Sequence, residues 1–212
     1  MNRHADLENN ITRVGIFVDV QDMYHAARSA CNAKVDYTRL LEMLSEGHDV
    51  IVATAYLLFT KDVDFSRFKT SLVKSGFDTK EKFNETYIKD GNVDKTKTYR
   101  CAQNWEVGMT VDMIKWAPKV DSIILVSGNV KFLDAILYLK SQTRVVVAAF
   151  DKFTSIKQLK ENCDEFINLC PKDGNDLGVL MSDRSGVTVD EMVEDEVKEF
   201  EDATTNKVSG EQ

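Results

Sequence analysis

The sequence predicts an α/β fold in which a mostly parallel sheet lies between two layers of helices. Short apolar runs rich in β-branched residues recur along the chain, and amphipathic segments of helical length separate them. These runs are apolar at nearly every position, as are strands that are buried on both faces. Strands that alternate with helices are typical of parallel sheets whose connections cross one face or the other.

The first strand and helix organise the rest of the prediction. Residues 14–18 read as a central strand, Asp19 follows directly, and residues 21–30 form an amphipathic segment that reads as a helix. Ligands of open α/β sheets bind at the carboxyl ends of the strands, so the position of Asp19 makes it a candidate site residue. Aspartate is also a common helix cap, and a purely structural role stays open.

The later elements follow the same alternation. Asp36 and Asp64 are predicted helix caps, and the helix after Asp64 should bury Phe65, Phe68, Leu72 and Val73. A segment at 102–117 has helical spacing with Val107, Val111 and Ile114 on one side. The other predicted elements are a helix at 36–44, strands at 50–59, 122–127, 144–150 and 166–167, and helices after 129 and at 155–162.

A polar, lysine-rich stretch at 77–100 predicts an irregular strand or hairpin with a turn at 89–92. Its basic and aromatic residues are suited to phosphates and stacked bases, and the candidate RNA-binding residues are Lys95, Lys97, Tyr99 and Arg100. Acidic residues lie among them, so an ordinary solvated hairpin remains the alternative.

Composition divides the 212 residues into a flexible leader at 1–12, one domain at 13–171 and an acidic tail at 172–212 that is expected to be disordered. The chain has 27 basic and 35 acidic residues, of which the tail holds 4 and 12, leaving 23 of each elsewhere. The overall acidity is therefore no argument against a nucleic-acid partner for the domain. Four scattered cysteines, three histidines without zinc spacing and the lack of a membrane-length apolar run indicate a cytoplasmic protein.

Several carboxylates are predicted to approach the same edge of the sheet. Asp19 and Asn129 each follow a strand, so their turns are expected to face each other. Glu106 and Asp112 lie on one helix about 240° apart, so both cannot point at one ion, and Glu106 is the better candidate. Acidic oxygens without histidine or thiolate suit Mg²⁺ or Mn²⁺. Solvated surface acids are the alternative.

Four segments in series resemble the NYN domain, the LabA-like branch of the PIN-like nuclease superfamily. The first segment, FVDVQDMY at 17–24, is similar to the family opening F-[IV]-D-G-x-N-[LM]-Y. The segment at 104–113 resembles the helix K-G-x-D-V-x-[LI]-x-x-D-[AM]. LVSGNVKF at 125–132 is similar to L-x-S-G-D-x-D-F, and the segments at 150–151 and 163–169 resemble the closing G-F…A-D-x-F-I-x-L.

The resemblance implies a PIN-like α/β/α fold with an acidic pocket that binds Mg²⁺ or Mn²⁺ and, in active members, cuts RNA. Asp19, Glu106 and Asp112 match its acidic positions. Asn129 and Lys131 replace the other two acids, which makes these positions about three charge units more positive than the family pattern.

Two neighbouring carboxylates could compensate for the negative charge that Asn129 and Lys131 remove. Asp22, which replaces the usual asparagine, restores one negative charge and is a further metal candidate. Asp134, about one helical turn beyond Lys131, is a substitute carboxylate or an exposed helix acid.

Three functions therefore remain open. The first is an RNA-binding NYN protein in RNA processing or regulation whose metal site is weak or lost, with Lys131 in the ion's place beside Asp19 and Glu106. The second is a divergent, metal-dependent endoribonuclease that uses Asp19 and Glu106, with Asp112, Asp22 or Asp134 as a further carboxylate. The third is a protein-interaction module whose acidic tail contacts a basic partner or the basic hairpin of its own domain. Assembly of identical copies is open in each case, and no membrane association is expected.

Overall fold

The computed structural model describes residues 12–60, 65–87, 99–101, 104–152, 156–171 and 178–181, with the side chains of 60, 84–87 and 99–101 outside that description. Its strands are β1 Thr12–Asp19, β2 His48–Thr60, β3 Asp78–Tyr87, β4 Tyr99–Cys101, β5 Ser122–Val126, β6 Arg144–Ala149 and β7 Glu165–Asn168. Its α-helices are α1 Val20–Cys31, α2 Tyr37–Ser45, α3 Ser66–Lys74, α4 Glu106–Trp116, α5 Leu133–Leu139 and α6 Ile156–Asn162, and short 3₁₀ turns span Ala117–Lys119 and Val130–Phe132.

The strands form one sheet in the order β4-β3-β2-β1-β5-β6-β7. All neighbouring strands are parallel except β3 and β4, which are antiparallel at the edge. For this strand order, the right-handed rule for crossovers between parallel strands puts α1, α2 and α3 on one face of the sheet and α4, α5 and α6 on the other. The predicted three-layer α/β/α architecture with a mostly parallel sheet is confirmed.

The central strands are the most deeply buried part of the sheet. From Val14 to Asp19 every residue of β1 is buried, and every residue of β5 is buried as well. Strands that have helices on both faces need apolar side chains at odd and even positions alike. This is why the continuous apolar runs in the sequence located the central strands.

Helix boundaries follow local chemistry. The carboxylate of Asp36 accepts the N–H groups of Thr38 and Arg39 at 3.1 Å each and so caps α2. Gly76, which follows α3, has φ +102°, a backbone conformation that L side chains rarely adopt. The predicted cap Asp64 lies outside the described residues.

Two predicted helix faces differ from the structure. In α3, Phe68 and Leu72 are buried but Val73 is mostly exposed. In α4, Val107 and Val111 of the predicted apolar face are exposed, Val107 by 73%, whereas Ile114 is partly buried against the core. The sheet-facing side of α4 instead contains Met109, Met113 and the partnered carboxylate of Asp112, so a count of apolar residues selects the wrong side.

Residues 178–181 pack against the connection between α1 and α2, beyond the predicted end of the domain at 171. Val179 accepts the Asp36 N–H at 2.8 Å, and Met181 donates its N–H to the Lys34 carbonyl at 2.9 Å. Val179 and Leu180 are almost fully buried. The folded part therefore includes this apolar segment. The predicted leader spans 1–12, but Thr12 is the first residue of β1; residues 1–11 and the rest of the predicted tail lie outside the described residues.

No helix in the described ranges has both the length and the apolar character required to cross a membrane.

Candidate functional site

The candidate site lies where the strand order changes direction. Strand β1 leads into α1 on one face, whereas its neighbour β5 leads toward α5 on the other. The carboxyl ends of β1 and β5 therefore border a crevice from which the chain departs in opposite directions, the usual ligand position in open α/β sheets. Asp19 ends β1, and Ser127, Gly128 and Asn129 follow β5.

Asp19 is both a helix cap and a desolvated acid. Its Oδ1 accepts the N–H of Asp22 at 3.1 Å, which satisfies a free donor in the first turn of α1. The residue is only 9% exposed. Burial, followed by repulsion from Asp22 and then Glu106, raises the pKa of Asp19 to about 7 despite the helix N–H bonds.

Asp22 joins α1 to the loop after β5. Its Oδ2 accepts the N–H of Gly128 at 2.6 Å and the hydroxyl of Ser127 at 3.2 Å. Burial raises the pKa of Asp22, although these two hydrogen bonds oppose the increase. A side chain on Gly128 would place its Cβ 3.3 Å from Ile156 Cδ1, so glycine permits the close approach of this loop.

Glu106 opens α4 and meets the loop after β5 from the other side. Its Oε1 accepts hydrogen bonds from the Asn129 amide at 3.2 Å and the Lys131 ammonium at 2.9 Å. Burial favours a higher pKa, but these contacts outweigh it and the pKa of Glu106 lies below its ordinary value. The other oxygen, Oε2, is buried and has no hydrogen-bond partner among the described residues.

Asn129 and Lys131, which the motif resemblance aligned with acidic positions, thus both contact one carboxylate. Asn129 also accepts the Lys131 N–H at 3.1 Å and so shapes the short 3₁₀ turn that carries the lysine. The Lys131 side chain remains 66% exposed. Within the described part of the chain it pairs with Glu106, and no ion pair joins it to Asp19.

Asp112 forms a separate cluster on the same helix. Its Oδ2 accepts the Tyr56 hydroxyl at 2.7 Å and the Lys80 ammonium at 2.5 Å. Burial opposes ionisation, but the Lys80 and Tyr56 hydrogen bonds prevail and lower the pKa of Asp112. Asp112 and Glu106 therefore have different partners, in keeping with their angular separation on the helix.

The sequence reasoning missed the partnership of Asp112 with Tyr56. Asp19 lies opposite Tyr56 on β2, and Tyr56 lies opposite Lys80 on β3. Residues in register on parallel strands project to the same face, so the three form a row that faces α4. A tyrosine inside an otherwise apolar strand was the available signal, because a buried hydroxyl requires a partner.

The remaining predicted site residues either lie away from these contacts or fall outside the described residues. Asp134 is an exposed acid in the first turn of α5. Tyr99 and Arg100 belong to β4, which pairs with β3, but their side chains are not described. Lys95 and Lys97 lie outside the described residues.

A lysine and a tryptophan flank the start of α4. The Lys82 ammonium lies 4.3 Å from the centroid of the Trp105 ring and donates to the Asn104 carbonyl at 2.5 Å. The Trp105 indole N–H donates to the Leu57 carbonyl at 2.8 Å, which holds α4 against β2. Lys82 and Lys131 therefore place positive charge on two sides of the Glu106 turn.

Several of the carboxylate oxygens that a divalent ion would need already have partners within this chain. Carboxylate oxygens suit Mg²⁺ or Mn²⁺, but cations and donors already bind the oxygens that face the loop. Among the described residues, no three His, Cys, Asp or Glu side chains are grouped so that they could hold a metal ion.

The match to a known family spans most of the folded part. The NYN domain profile covers residues 13–170. The chain belongs to the NYN domain family. The family membership predicted from the four motifs is thereby confirmed. The NYN domain is a nuclease-like, RNA-related domain of the PIN-like type. Its members generally bind RNA, and the nucleases among them generally depend on divalent ions.

Two relatives support this assignment of an NYN domain. The "Low amplitude and bright protein LabA" of Synechococcus elongatus is 26% identical over 161 residues, which cover 74% of this chain and 84% of the relative. A crystal structure of a protein of unknown function from Vibrio parahaemolyticus matches with a TM-score of 0.66 and 27% identity, covering 82% of this chain and 98% of that one.

Proposed function

We propose that this NYN domain binds RNA at the carboxyl edge of its sheet without requiring a divalent ion, and acts in RNA processing or regulation. The observation that carries the proposal is the contact between the Lys131 ammonium and Glu106 Oε1 at 2.9 Å. It provides an internal cation at an acidic pocket, at a position where the family pattern has an acid.

The charge of Lys131 opposes a metal ion directly. An ammonium group within a few ångströms of a divalent ion repels it by several kcal/mol at intermediate dielectric. Asn129 adds to this effect, because an amide on the same carboxylate oxygen replaces a family acid with a neutral donor. The pocket retains the carboxylates of Asp19 and Asp22 but lacks the concentrated negative charge that holds Mg²⁺.

Basic groups beside the pocket support contact with RNA phosphates. Lys80 and Lys82 are two residues apart on β3 and so project to the same face of the sheet. Lys82 contacts the start of α4 at Asn104, and Lys131 contacts it at Glu106. The side chains of Lys80 and Lys131 are 47% and 66% exposed. Such a basic path can neutralise backbone phosphates, and the affinity should fall as salt concentration rises.

The test separates binding from metal dependence. RNA affinity of the wild type is measured with EDTA, with Mg²⁺ and with Mn²⁺, and ion binding is titrated in the wild type and in Lys131→Asp. We expect the wild type to bind RNA equally well in EDTA. Lys131→Asp should bind Mn²⁺ at least tenfold more tightly than the wild type, because it exchanges a repulsive charge for a ligand.

Lys119→Asp provides the matched control. Lys119 is an exposed lysine that precedes β5, at the opposite edge of the sheet, so the same charge change there should leave ion affinity unaltered. Loss of RNA binding in EDTA would contradict the proposal, as would tight Mn²⁺ binding by the wild type.

Metal-dependent RNA cleavage is the second candidate, and one observation favours it. Glu106 Oε2 is buried and accepts no hydrogen bond from the residues that the structure describes, as a ligand oxygen awaiting a cation would be. In that case Mg²⁺ or Mn²⁺ should induce cleavage of a varied RNA pool, and Asp19→Ala should abolish it. A pool left intact with both ions would exclude this candidate.

A further inference from the structure

A second concavity lies on the α1 side of the acidic pocket. This cleft, called the α1 cleft below, has a volume of about 260 Å³. Its walls come from four elements of the fold: α1, the loop after β5, the end of β6 and the start of α6. The lining includes Asp22, His25, Ser29, Gly128, Phe150 and Ile156.

Small residues create the α1 cleft. Positions 22, 25, 26 and 29 lie on one flank of α1, since residues three and four apart share a helix face. Ala26 and Ser29 are short, and Gly128 opposite them has no side chain. The carboxylate of Asp22 holds the two walls together through the Gly128 N–H. The contact between Asp22 and Gly128 therefore forms part of both the α1 cleft and the neighbouring acidic pocket.

The lining combines apolar walls with a few polar groups. Phe150 and Ile156 are almost fully buried and form the apolar part, while His25 and Ser29 contribute polar atoms. Asp22 Oδ2 already accepts two hydrogen bonds, whereas its Oδ1 accepts none from the described residues. A carboxylate has about four acceptor positions, so Oδ1 remains able to bind a donor.

These dimensions and groups suit a single flat heterocycle. The volume lies below the range of about 300–1,000 Å³ that is usual for drug-sized ligands. RNA-binding proteins commonly hold unstacked bases between apolar or aromatic side chains and read their edges by hydrogen bonds. Because Asp22 lines the cleft and also adjoins Asp19, a base in the cleft would belong to a strand that crosses the acidic pocket.

We propose that the α1 cleft holds one unstacked base of the bound RNA and selects a base that carries an exocyclic amino group. This inference rests on the proposed RNA-binding function. The amino group of adenine, cytosine or guanine can donate to Asp22 Oδ1. Uracil has no amino group, and the two carbonyl oxygens beside its ring N–H face a carboxylate unfavourably. The domain therefore prefers adenine- and cytosine-containing single strands to uridine-containing ones.

The experiment compares oligoadenylate, oligocytidylate and oligouridylate of equal length, with the 212-residue chain in EDTA. We expect the first two to bind about tenfold more tightly than oligouridylate, the scale of one stacked and hydrogen-bonded base. Ser29→Leu fills the cleft and His25→Ala removes one of its walls. At least one of the two variants should reduce the preference to about twofold or less.

Matched controls lie elsewhere on the fold. Ser71→Leu places the same side chain on the exposed surface of α3, and His48→Ala removes an exposed histidine at the start of β2. Both should retain the wild-type preference. The inference is overturned by equal or reversed affinities in the wild type, by a preference that survives in both cleft variants, or by its loss in a control. RNA binding without base preference overturns the inference alone, whereas absence of RNA binding overturns the proposed function as well.

Discussion

Two acids at the start of α1, Asp19 and Asp22, and two acids of α4, Glu106 and Asp112, lie within one region of the molecule but have opposite kinds of partners. Asp19 and Asp22 have hydrogen-bond donors as partners, and burial raises the pKa of both. Glu106 and Asp112 each have a lysine of this chain as a partner, and their pKa values are lowered. Among the described residues, the lysines that form ion pairs with these acids therefore all act on the α4 side.

This difference predicts that the two pairs of acids affect folding stability in opposite directions as the pH changes. A carboxylate whose pKa is raised by folding favours the folded state at low pH, and that contribution is lost as pH rises through the folded pKa. A carboxylate whose pKa is lowered stabilises the fold at neutral pH and loses that effect on acidification. The α1 acids should thus oppose folding at neutral and alkaline pH, while the α4 acids support it there.

Asp19→Asn should have the largest effect. The pKa of Asp19 is about 7 in the folded state against an ordinary 3.8, so the wild type should lose roughly 4 kcal/mol of unfolding free energy between pH 4 and pH 7 through this group. Asparagine can still accept the Asp22 N–H as a helix cap. The variant should match the wild type at pH 4 and exceed its stability at pH 8 by up to ~4 kcal/mol, measured by urea unfolding.

Asp134→Asn is the control for this series. Asp134 is exposed on α5, and its substitution should shift stability by less than about 0.5 kcal/mol at either pH. An Asp19→Asn variant whose stability relative to the wild type did not rise from pH 4 to pH 8 would contradict the assignment of Asp19 as a desolvated acid.

The comparison also explains why the fold was predictable and the charge pairing was not. Continuous apolar runs identify central strands directly, because burial on both faces imposes one constraint on every position. The motif positions single out Asn129 and Lys131. Their shared contact with Glu106 depends on how α4 meets the loop after β5, and no local pattern encodes that approach.

Long-range partners account for the other omissions. Tyr56 and Lys80 meet Asp112 only because strand register places them in one row beneath α4. The α1 cleft joins residues from four elements and depends on small side chains, which have no periodic signal. Residues 178–181 pack on the domain although they follow a segment rich in charge, since a few apolar residues suffice for docking.

Asp112→Ala should have the second largest effect and tests the α4 side of the comparison. The buried Tyr56 hydroxyl would lose its acceptor, whereas Lys80 can turn toward solvent. An unpaired buried donor costs about 1–3 kcal/mol, so the free energy of unfolding should fall by about 2 kcal/mol. Adding Tyr56→Phe removes the unpaired hydroxyl, and the double variant should be less destabilised than the two single losses summed. Simple additivity would show that the hydroxyl and carboxylate are not coupled.

Glu106→Gln should have the smallest effect on stability, but it should change the pKa of Asp19. Glutamine retains an acceptor for Lys131 and Asn129, and the lysine is largely exposed, so stability should change by less than about 1 kcal/mol. Removing the negative charge of Glu106 should nevertheless lower the pKa of Asp19, because Glu106 is one of the two acids that raise it. Asp22→Asn should lower that pKa further, since the repulsion from Asp22 is the larger of the two. Carboxyl chemical shifts of Asp19 measured against pH would order the three proteins, and an unchanged midpoint in Glu106→Gln would mean that the α1 and α4 acids do not share one pocket.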